Sequence, residues 1–103
     1  MMNVSVIIPA HNAANTIAET LESLQAQTFS GWEAIIVDDG SSDGTAAIAA
    51  RFAQKDRRIR VVSQPKAGES AARNTGIGLA RHEWLLFLDA DDFIDKKALE
   101  ILV

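Results

Sequence analysis

The stretch Trp84-Leu85-Leu86-Phe87-Leu88-Asp89-Ala90-Asp91-Asp92 joins five large apolar residues to three carboxylates. A short apolar run that ends in a sharp polar switch predicts a strand, Trp84 to Leu88, buried on both faces. Because side chains alternate along a strand, Asp89 and Asp91 are expected on the same side at its carboxyl end. Carboxylates this close repel each other unless a cation lies between them, and Mg²⁺ is commonly held by one or two carboxylates plus substrate phosphates. The alternative is a solvated acidic turn that starts the next helix.

Three similar units precede this stretch. The predicted strands are Val4 to Ile8, which Pro9 ends, then Ala34 to Val37, then Ile59 to Val62, which is more polar and so is placed nearer a sheet edge. The predicted helices start at Thr16 (with Glu19 in a capping box), at Ser42 or Asp43, at Glu69 (ending near Ala80) and after Asp95 (Lys96 to Val103). Four strands that alternate with four helices predict an α/β fold, a mostly parallel Rossmann-like sheet with helices on both faces.

Composition limits the classes of function. The chain has 103 residues, enough for one domain, and a net charge of -4 without a basic run, which gives nucleic-acid binding no electrostatic support. It has no cysteine, which excludes disulfides and thiolate metal sites. The apolar run Val4 to Ala10 is too short for a signal peptide or a membrane span. We therefore expect a cytoplasmic protein.

Segments that contain polar residues follow three of the four predicted strands. They are Pro9-Ala10-His11-Asn12, Asp38-Asp39 and Asp89-Ala90-Asp91. In open parallel sheets, ligands bind outside the carboxyl ends of the strands. Folding does not require three polar sets at one edge, so the sequence predicts a ligand site there.

Four segments together resemble the ordered motifs of family 2 glycosyltransferases. They are Val4 to Asn12, Val37 to Thr45, Gly68 to Gly76 and Leu88 to Asp92. The resemblance covers nearly the whole chain and implies a GT-A fold that uses a nucleotide-sugar donor. It further implies that residues 1–103 are the nucleotide-sugar-binding part of that domain, without the acceptor-binding half.

The resemblance assigns the nucleotide base to the first two strand ends. The loop Pro9 to Asn12, including Ala10, would wrap the base, with His11 in the place of an aromatic residue that stacks on uracil. Asp39 would accept the uracil ring N–H, whereas Asp38 would orient the loop. A loop histidine without a ligand is the simpler interpretation of His11.

The resemblance assigns the diphosphate to the third helix and the fourth strand. Arg73 would lie near the diphosphate, where a guanidinium can bind phosphate oxygens in pairs; a surface arginine is the alternative. Asp89 and Ala90 would lie near the donor, and Asp91, with Asp89, would bind Mg²⁺ or Mn²⁺. Asp92 is either a further neighbour of that metal or solvated, and we assign Gly76 and Gly78 to close helix packing.

The function implied is inverting transfer of a sugar from a nucleotide-diphosphate sugar to the hydroxyl of a saccharide or lipid-linked acceptor. The donor expected first is a UDP-sugar. The catalytic base is expected beyond Val103, so the 103-residue chain alone is expected to transfer no sugar. We expect it to self-associate through the last helix and the surface near the fourth strand, where Leu99, Leu102 and Val103 would lack cover. The full-length protein is expected in the cytoplasm, including the cytoplasmic face of the membrane.

Two alternatives stay open at this point. In a haloacid-dehalogenase-like phosphatase, Asp89 would be the nucleophile and Asp91 the acid/base, although that motif belongs on the first strand of its fold and leaves Asp38-Asp39 without a role. A non-catalytic module that binds nucleotide or mediates assembly is the other.

Overall fold

A computed structural model describes residues 3–102 as alternating strands and helices. The strands are β1 (Val4–Ala10), β2 (Trp32–Asp39), β3 (Ile59–Gln64) and β4 (Trp84–Phe87). The helices are α1 (Ile17–Gln25), α2 (Thr45–Lys55), α3 (Glu69–Leu79) and α4 (Ala98–Leu102). The predicted order of elements is therefore confirmed.

The four strands form one sheet in the order β3-β2-β1-β4, and every neighbouring pair is parallel. The long pairs β1–β2 and β2–β3 bring the carboxyl ends of these strands to one edge. The predicted parallel sheet and the edge position of β3 are confirmed. The polar character of β3 fits an edge, because one side of an edge strand lacks a neighbouring strand.

The prediction that Pro9 ends the first strand was wrong. Pro9 lies inside β1, opposite Val37 of β2. The carbonyl of Ile7 accepts a hydrogen bond from Leu88, on the β4 side. Alternate residues of a parallel strand point their backbone groups to the same side, so the nitrogen of Pro9 also faces the β4 side. Since β4 pairing ends at Phe87, no ladder bond is lost there.

The sheet separates two cores. The larger core joins one face of β1 and β2 to α1, α2 and α4, and its fully buried members include Val6, Ile8, Ile17, Leu21, Leu24, Ile36 and Leu99. The smaller core packs the other face against α3, through Ile35, Val37 and Ala72. Helices on both faces are thus confirmed. Leu99 was predicted to lack cover, and this was wrong, because it is fully buried in the larger core.

Helix α3 lies close against β1 because Gly76 has no side chain. A Cβ atom at Gly76 would come within 2.5 Å of Ile7 Cγ2. The close packing predicted for Gly76 is confirmed. The same prediction for Gly78 was wrong, because nothing lies within 4 Å of a Cβ built there.

Strand β4 departs from its prediction. It ends at Phe87, and its side chains are largely exposed, with Trp84 at 48% and Phe87 at 45%. It pairs only with β1, so the prediction of a strand buried on both faces was wrong for this chain. Apolar composition indicated burial, but within residues 3–102 no strand lies beyond β4 and little covers its faces.

The helix starts follow the predictions only in part. Thr16 precedes α1, but its hydroxyl lies within hydrogen-bond distance of the carbonyls of Ala13 and Ala90 and does not cap the helix, so the capping box was wrong. The N-cap residue of α2 is Gly44, not Ser42 or Asp43 as predicted, although the side chain of Asp43 accepts from the Thr45 amide at the start of the helix. Asp95 likewise accepts from the Lys97 amide before α4, which starts at Ala98 rather than Lys96; Val103 lies outside the described residues.

Among residues 3–102, no helix has the length and apolar character that crossing a bilayer requires.

Candidate functional site

A cleft of about 510 Å³ lies at the carboxyl edge of the sheet. Its lining comes from the β1–α1 loop, from the turn after β4 and from the start of α3: Pro9, His11, Asn12, Ala13, Asn15, Thr16, Glu69, Asp89, Ala90 and Asp91. A smaller cavity of about 160 Å³ shares three of these residues and adds Ala10, Asp39 and Ala72. The structure therefore brings the three predicted polar strand ends together.

His11 occupies the boundary between the two cavities. Its Nδ1 lies 2.8 Å from the carbonyl oxygen of Asp39, and its Nε2 lies 3.3 Å from Asn12 Nδ2. A carbonyl only accepts, so Nδ1 carries the proton and Nε2 accepts from Asn12. This pair of contacts fixes the ring plane, and the residue remains exposed to solvent.

Asn12 joins the first loop to the second. Its φ of 50° is in the left-handed region, which asparagine tolerates better than most residues. Its side-chain oxygen accepts from the Ser42 amide at 2.9 Å, and its own amide donates to Ser41 Oγ at 2.9 Å. Two amides further along, those of Ala13 and Ala14, donate to Thr45 and Asp43. The base-binding loop predicted from the sequence is therefore held rigidly against the loop after β2.

Asp39 is a buried carboxylate held by the loop before α3. Its oxygens accept from Gln64 Nε2 at 3.0 Å and from the amides of Ala67 and Gly68 at 2.8 and 2.9 Å. The hydrogen bond from Gln64, followed by that from Ala67, lowers the pKa of Asp39 despite its burial. The carboxylate is thus ionised at neutral pH, and Oδ2, which takes a single bond here, can accept one more donor.

Asp38 orients the loop as predicted. Its Oδ1 accepts from the Ser41 amide at 3.3 Å. The adjacent Gly40 has a φ of +69°, and a Cβ there would lie 2.7 Å from the Lys66 nitrogen. Only glycine fits this turn, which brings the β2 end against the loop that precedes α3.

The acidic residues after β4 lie in a turn and not on the strand. The Asp92 amide donates to the Asp89 carbonyl at 3.0 Å. Ala90 is buried in the larger core, which directs its neighbours Asp89 and Asp91 outward. The same-side placement predicted from strand alternation is therefore reached in a different way, by a buried alanine between two exposed acids.

Three carboxylates in this turn can hold a cation. Asp89, Asp91 and Asp92 each offer an oxygen atom, and these atoms all lie within 4.8 Å of one another. Hard oxygen donors at this spacing fit Mg²⁺ or Mn²⁺. Asp92, which the sequence left undecided between a neighbour of the metal and a solvated residue, belongs to this cluster.

Arg73 does not line the cleft itself but contacts a residue that does. Its guanidinium pairs with Glu69 at 2.7 Å and lies 5.9 Å from the centre of the Phe87 ring. The side chain is 40% exposed. Of the predicted donor-site residues, Arg73 alone lines neither cavity, although its partner Glu69 lines both.

Sequence reasoning missed Glu69, Asn15 and Thr16 as lining residues. Glu69 opens α3 four residues before Arg73, a spacing that pairs side chains on a helix and that could have linked it to the site. The sequence predicts only a helix cap at Thr16, and its contact with the Ala90 carbonyl shows its place in the cleft, as the cleft lining does for Asn15.

Taken together, the site offers an exposed ring, an ionised buried carboxylate and a cluster of exposed oxygen donors along one edge. The family model of glycosyl transferase family 2 matches residues 5–103. The chain belongs to glycosyl transferase family 2. The resemblance noted from the four motifs is thereby confirmed, and the phosphatase alternative was wrong.

Proteins of known sequence and proteins of known structure resemble this chain closely. EpsJ of Bacillus subtilis, an uncharacterized glycosyltransferase, is 45% identical over 91 residues, which are 88% of this chain and 26% of EpsJ. The crystal structure of S. aureus TarS 1-349 in complex with UDP-GlcNAc shares 34% identity with a TM-score of 0.88 over 98% of this chain and 30% of that one. The mannosyltransferase PcManGT of Pyrobaculum calidifontis, in complex with GDP-Man and Mn²⁺, shares 28% identity with a TM-score of 0.82, over 94% and 30%.

These likenesses confirm the GT-A fold predicted for this part of the family. They also show that the chain spans less than a third of the length of each of these proteins.

Proposed function

We propose that this chain is the part of an inverting glycosyltransferase that binds the nucleotide-sugar donor, with UDP as the nucleotide. One observation carries the proposal: a single cleft collects the loop after β1 and the carboxylates after β4, and it adjoins the cavity that contains Asp39. A nucleoside diphosphate needs these three features, namely a surface for its base, an acceptor for a base N–H, and a cation for its phosphates.

The base would lie on the exposed face of His11. The ring is held by Asp39 O and Asn12, so stacking would cost little further ordering. The free lone pair of Asp39 Oδ2 would accept the uracil N–H. Adenine and cytosine present a different edge, without an N–H at the equivalent ring position, so this contact would favour uracil.

The diphosphate would lie toward the acidic turn. Asp91 and Asp89 would hold Mg²⁺ or Mn²⁺, with Asp92 as a third oxygen donor within reach. When bound, the metal would neutralise charge that develops on the departing diphosphate. Arg73, now paired with Glu69, would have to exchange that partner for a phosphate oxygen.

In the proposed reaction, an acceptor hydroxyl attacks the anomeric carbon of the donor sugar from the side opposite the nucleotide. The new oxygen–carbon bond forms as the bond to the diphosphate breaks, which inverts the anomeric configuration. A carboxylate base that we expect beyond Val103 would take the hydroxyl proton. We propose a saccharide or lipid-linked acceptor and a cytoplasmic location, including the cytoplasmic face of the membrane.

Calorimetric titration of the chain with UDP, GDP, ADP and CDP, each with and without Mn²⁺, tests the proposal. We expect UDP to bind best and Mn²⁺ to increase its affinity. His11→Phe should keep UDP binding and His11→Ala should weaken it. Equal affinity for all four nucleotides would overturn the roles of His11 and Asp39, and tighter binding of GDP would assign the site to a different donor.

A further inference from the structure

Four polar side chains form a stripe along α1 and the residues just after it. Thr16, Thr20, Ser23 and Gln27 are spaced by four, three and four positions, which places them on one face of a helix. We call them the α1 polar stripe. All four contact backbone groups between Ala90 and Leu99. Thr20 and Gln27 are buried, where apolar side chains are usual, so their polar character needs an explanation.

The first two members of the stripe hold the acidic turn. Thr16 Oγ lies 3.0 Å from the carbonyl oxygen of Ala90, and Thr20 Oγ lies 2.9 Å from the same oxygen and closer still to that of Asp92. Each hydroxyl has one proton. Thr16 can therefore donate to Ala90 while Thr20 donates to Asp92, so that both carbonyls receive a bond.

The last two members hold the segment that follows. Ser23 Oγ accepts from the Ile94 amide at 3.3 Å and donates to the Thr20 carbonyl at 2.6 Å. Gln27 donates to the Asp95 carbonyl at 2.7 Å and accepts from the Leu99 amide at 3.1 Å. The stripe thus satisfies backbone groups of an irregular segment that has no sheet partner of its own.

The stripe holds the backbone and leaves the acidic side chains free. Thr20 is 1% exposed and Ala90 is 7% exposed, so the contact between them is shielded from water. By contrast, Asp89, Asp91 and Asp92 are exposed, and within residues 3–102 their carboxylates accept no hydrogen bond from another side chain and form no salt bridge. The turn therefore has a fixed main chain and three unengaged oxygen donors.

We propose that Thr20, assisted by Thr16, is a positioning residue for the cation and diphosphate site. It acts through the carbonyls of Ala90 and Asp92, which set the direction in which the neighbouring carboxylates point. The inference rests on the proposed function, because it assumes that these carboxylates bind a metal. It goes beyond that function because it makes the metal affinity depend on a residue of α1 that does not itself touch the metal.

Three variants test the assignment. Thr20→Val removes the hydroxyl and keeps the shape, whereas Thr20→Ser keeps the hydroxyl. Thr28→Val is the matched control, because the Thr28 hydroxyl contacts Lys96 and Glu100, beyond the acidic turn. The measurements are UDP affinity by calorimetry with and without Mn²⁺, and the thermal unfolding midpoint of each variant.

We expect Thr20→Val to lower UDP affinity in Mn²⁺ by about tenfold or more, the effect typical of losing a group that orients a metal ligand. Its UDP affinity without metal should stay near that of the wild type. Thr20→Ser should restore the metal effect, and Thr28→Val should retain it.

Other outcomes separate this inference from the function on which it rests. A wild-type chain that binds UDP equally with and without Mn²⁺ would overturn the metal role and this inference together. A wild-type metal effect that survives in Thr20→Val would overturn the inference alone, as would an equal loss of UDP affinity with and without metal. Thr16→Val, at a half-buried position, is judged by the same criteria if Thr20→Val does not fold.

Discussion

Strand β2 ends in carboxylates bonded to the protein, whereas the carboxylates after β4 face solvent. Asp39 accepts from Gln64, Ala67 and Gly68, and it is 3% exposed. Asp89 and Asp91 are exposed, and each has a carboxylate oxygen within 4.8 Å of one of Asp92. The two strands differ in position, since β2 lies between β1 and β3 and β4 lies at the edge of the sheet. Neighbouring loops donate hydrogen bonds to the carboxylates at the end of an inner strand. Asp38 and Asp39 therefore mainly organise the site, whereas the acids after β4 are left for a ligand.

The largest effect on the comparison is expected from Asp91→Asn. The substitution removes a charged oxygen donor from the cation cluster without changing the shape of an exposed side chain. We expect it to abolish the Mn²⁺ contribution to UDP binding and to leave the unfolding midpoint unchanged. Calorimetry of UDP binding with and without Mn²⁺ checks the first part, and thermal denaturation checks the second. A metal effect of wild-type size in this variant would show that the exposed carboxylates after β4 do not bind the cation.

Asp39→Ala should affect folding and binding together. Removal of the carboxylate leaves the Ala67 and Gly68 amides without an acceptor, and it removes the proposed contact to uracil. A hydrogen bond to a charged group supports a loss of UDP affinity on the order of tenfold or more. We also expect a lower unfolding midpoint. Asp39→Asn is the milder companion, since it keeps an acceptor oxygen; unchanged stability in Asp39→Ala would contradict the organising role of this residue.

The edge position of β4 predicts self-association. Trp84, Leu85 and Phe87 on this strand and Phe93 beyond it are exposed apolar side chains, and an edge strand presents unpaired backbone groups. We expect sedimentation at micromolar concentration to show a dimer or a larger species. Leu85→Lys should shift the chain toward monomer, whereas Ala47→Lys, which adds the same charge to an exposed position of α2, should not. A wild-type monomer would contradict this prediction.

The smallest effect is expected from acid, which protonates the carboxylates that accept hydrogen bonds within the protein. The hydrogen bond from Arg58 lowers the pKa of Asp56 from 3.8 to about 2, and the bonds to Asp39 lower its pKa as well. A carboxylate whose folded pKa is depressed stabilises the fold above its unfolded pKa, and this stability is lost as the pH falls through the folded value.

The free energy of unfolding should therefore fall between about pH 4 and pH 2, with Asp56 contributing about 1–2 kcal/mol. Urea denaturation across this range measures the change. In Asp56→Asn the fall should be smaller, and an identical fall in the variant and the wild type would show that Asp56 does not contribute.

The sequence by itself determined the order of elements and most of the residues that line the site, although not Glu69, Asn15 or Thr16. Apolar runs such as Val4 to Ile8 cannot remain in water, and their alternation with helical patterns permits few arrangements other than a parallel sheet. Parallel strands then place their carboxyl ends at one edge, which is why residue types and spacing alone group positions as distant as His11, Asp39 and Asp91. Local signals were weaker: Pro9 and the Thr16–Glu19 pair both misled, because the place of Pro9 depends on the pairing of β4 and that of Thr16 on the turn after β4.

The tertiary structure decided which acids are engaged and which are free. Asp38-Asp39 and Asp89-Ala90-Asp91 look alike as strings of residues, and nothing in their composition says that amides of Ala67 and Gly68 reach one of them. Likewise, Thr20 is an ordinary helix residue until packing brings it against the Ala90 carbonyl, 70 positions away. Hydrogen bonds and burial are set by the distances between elements remote in sequence, and a local pattern of residue types does not contain those distances.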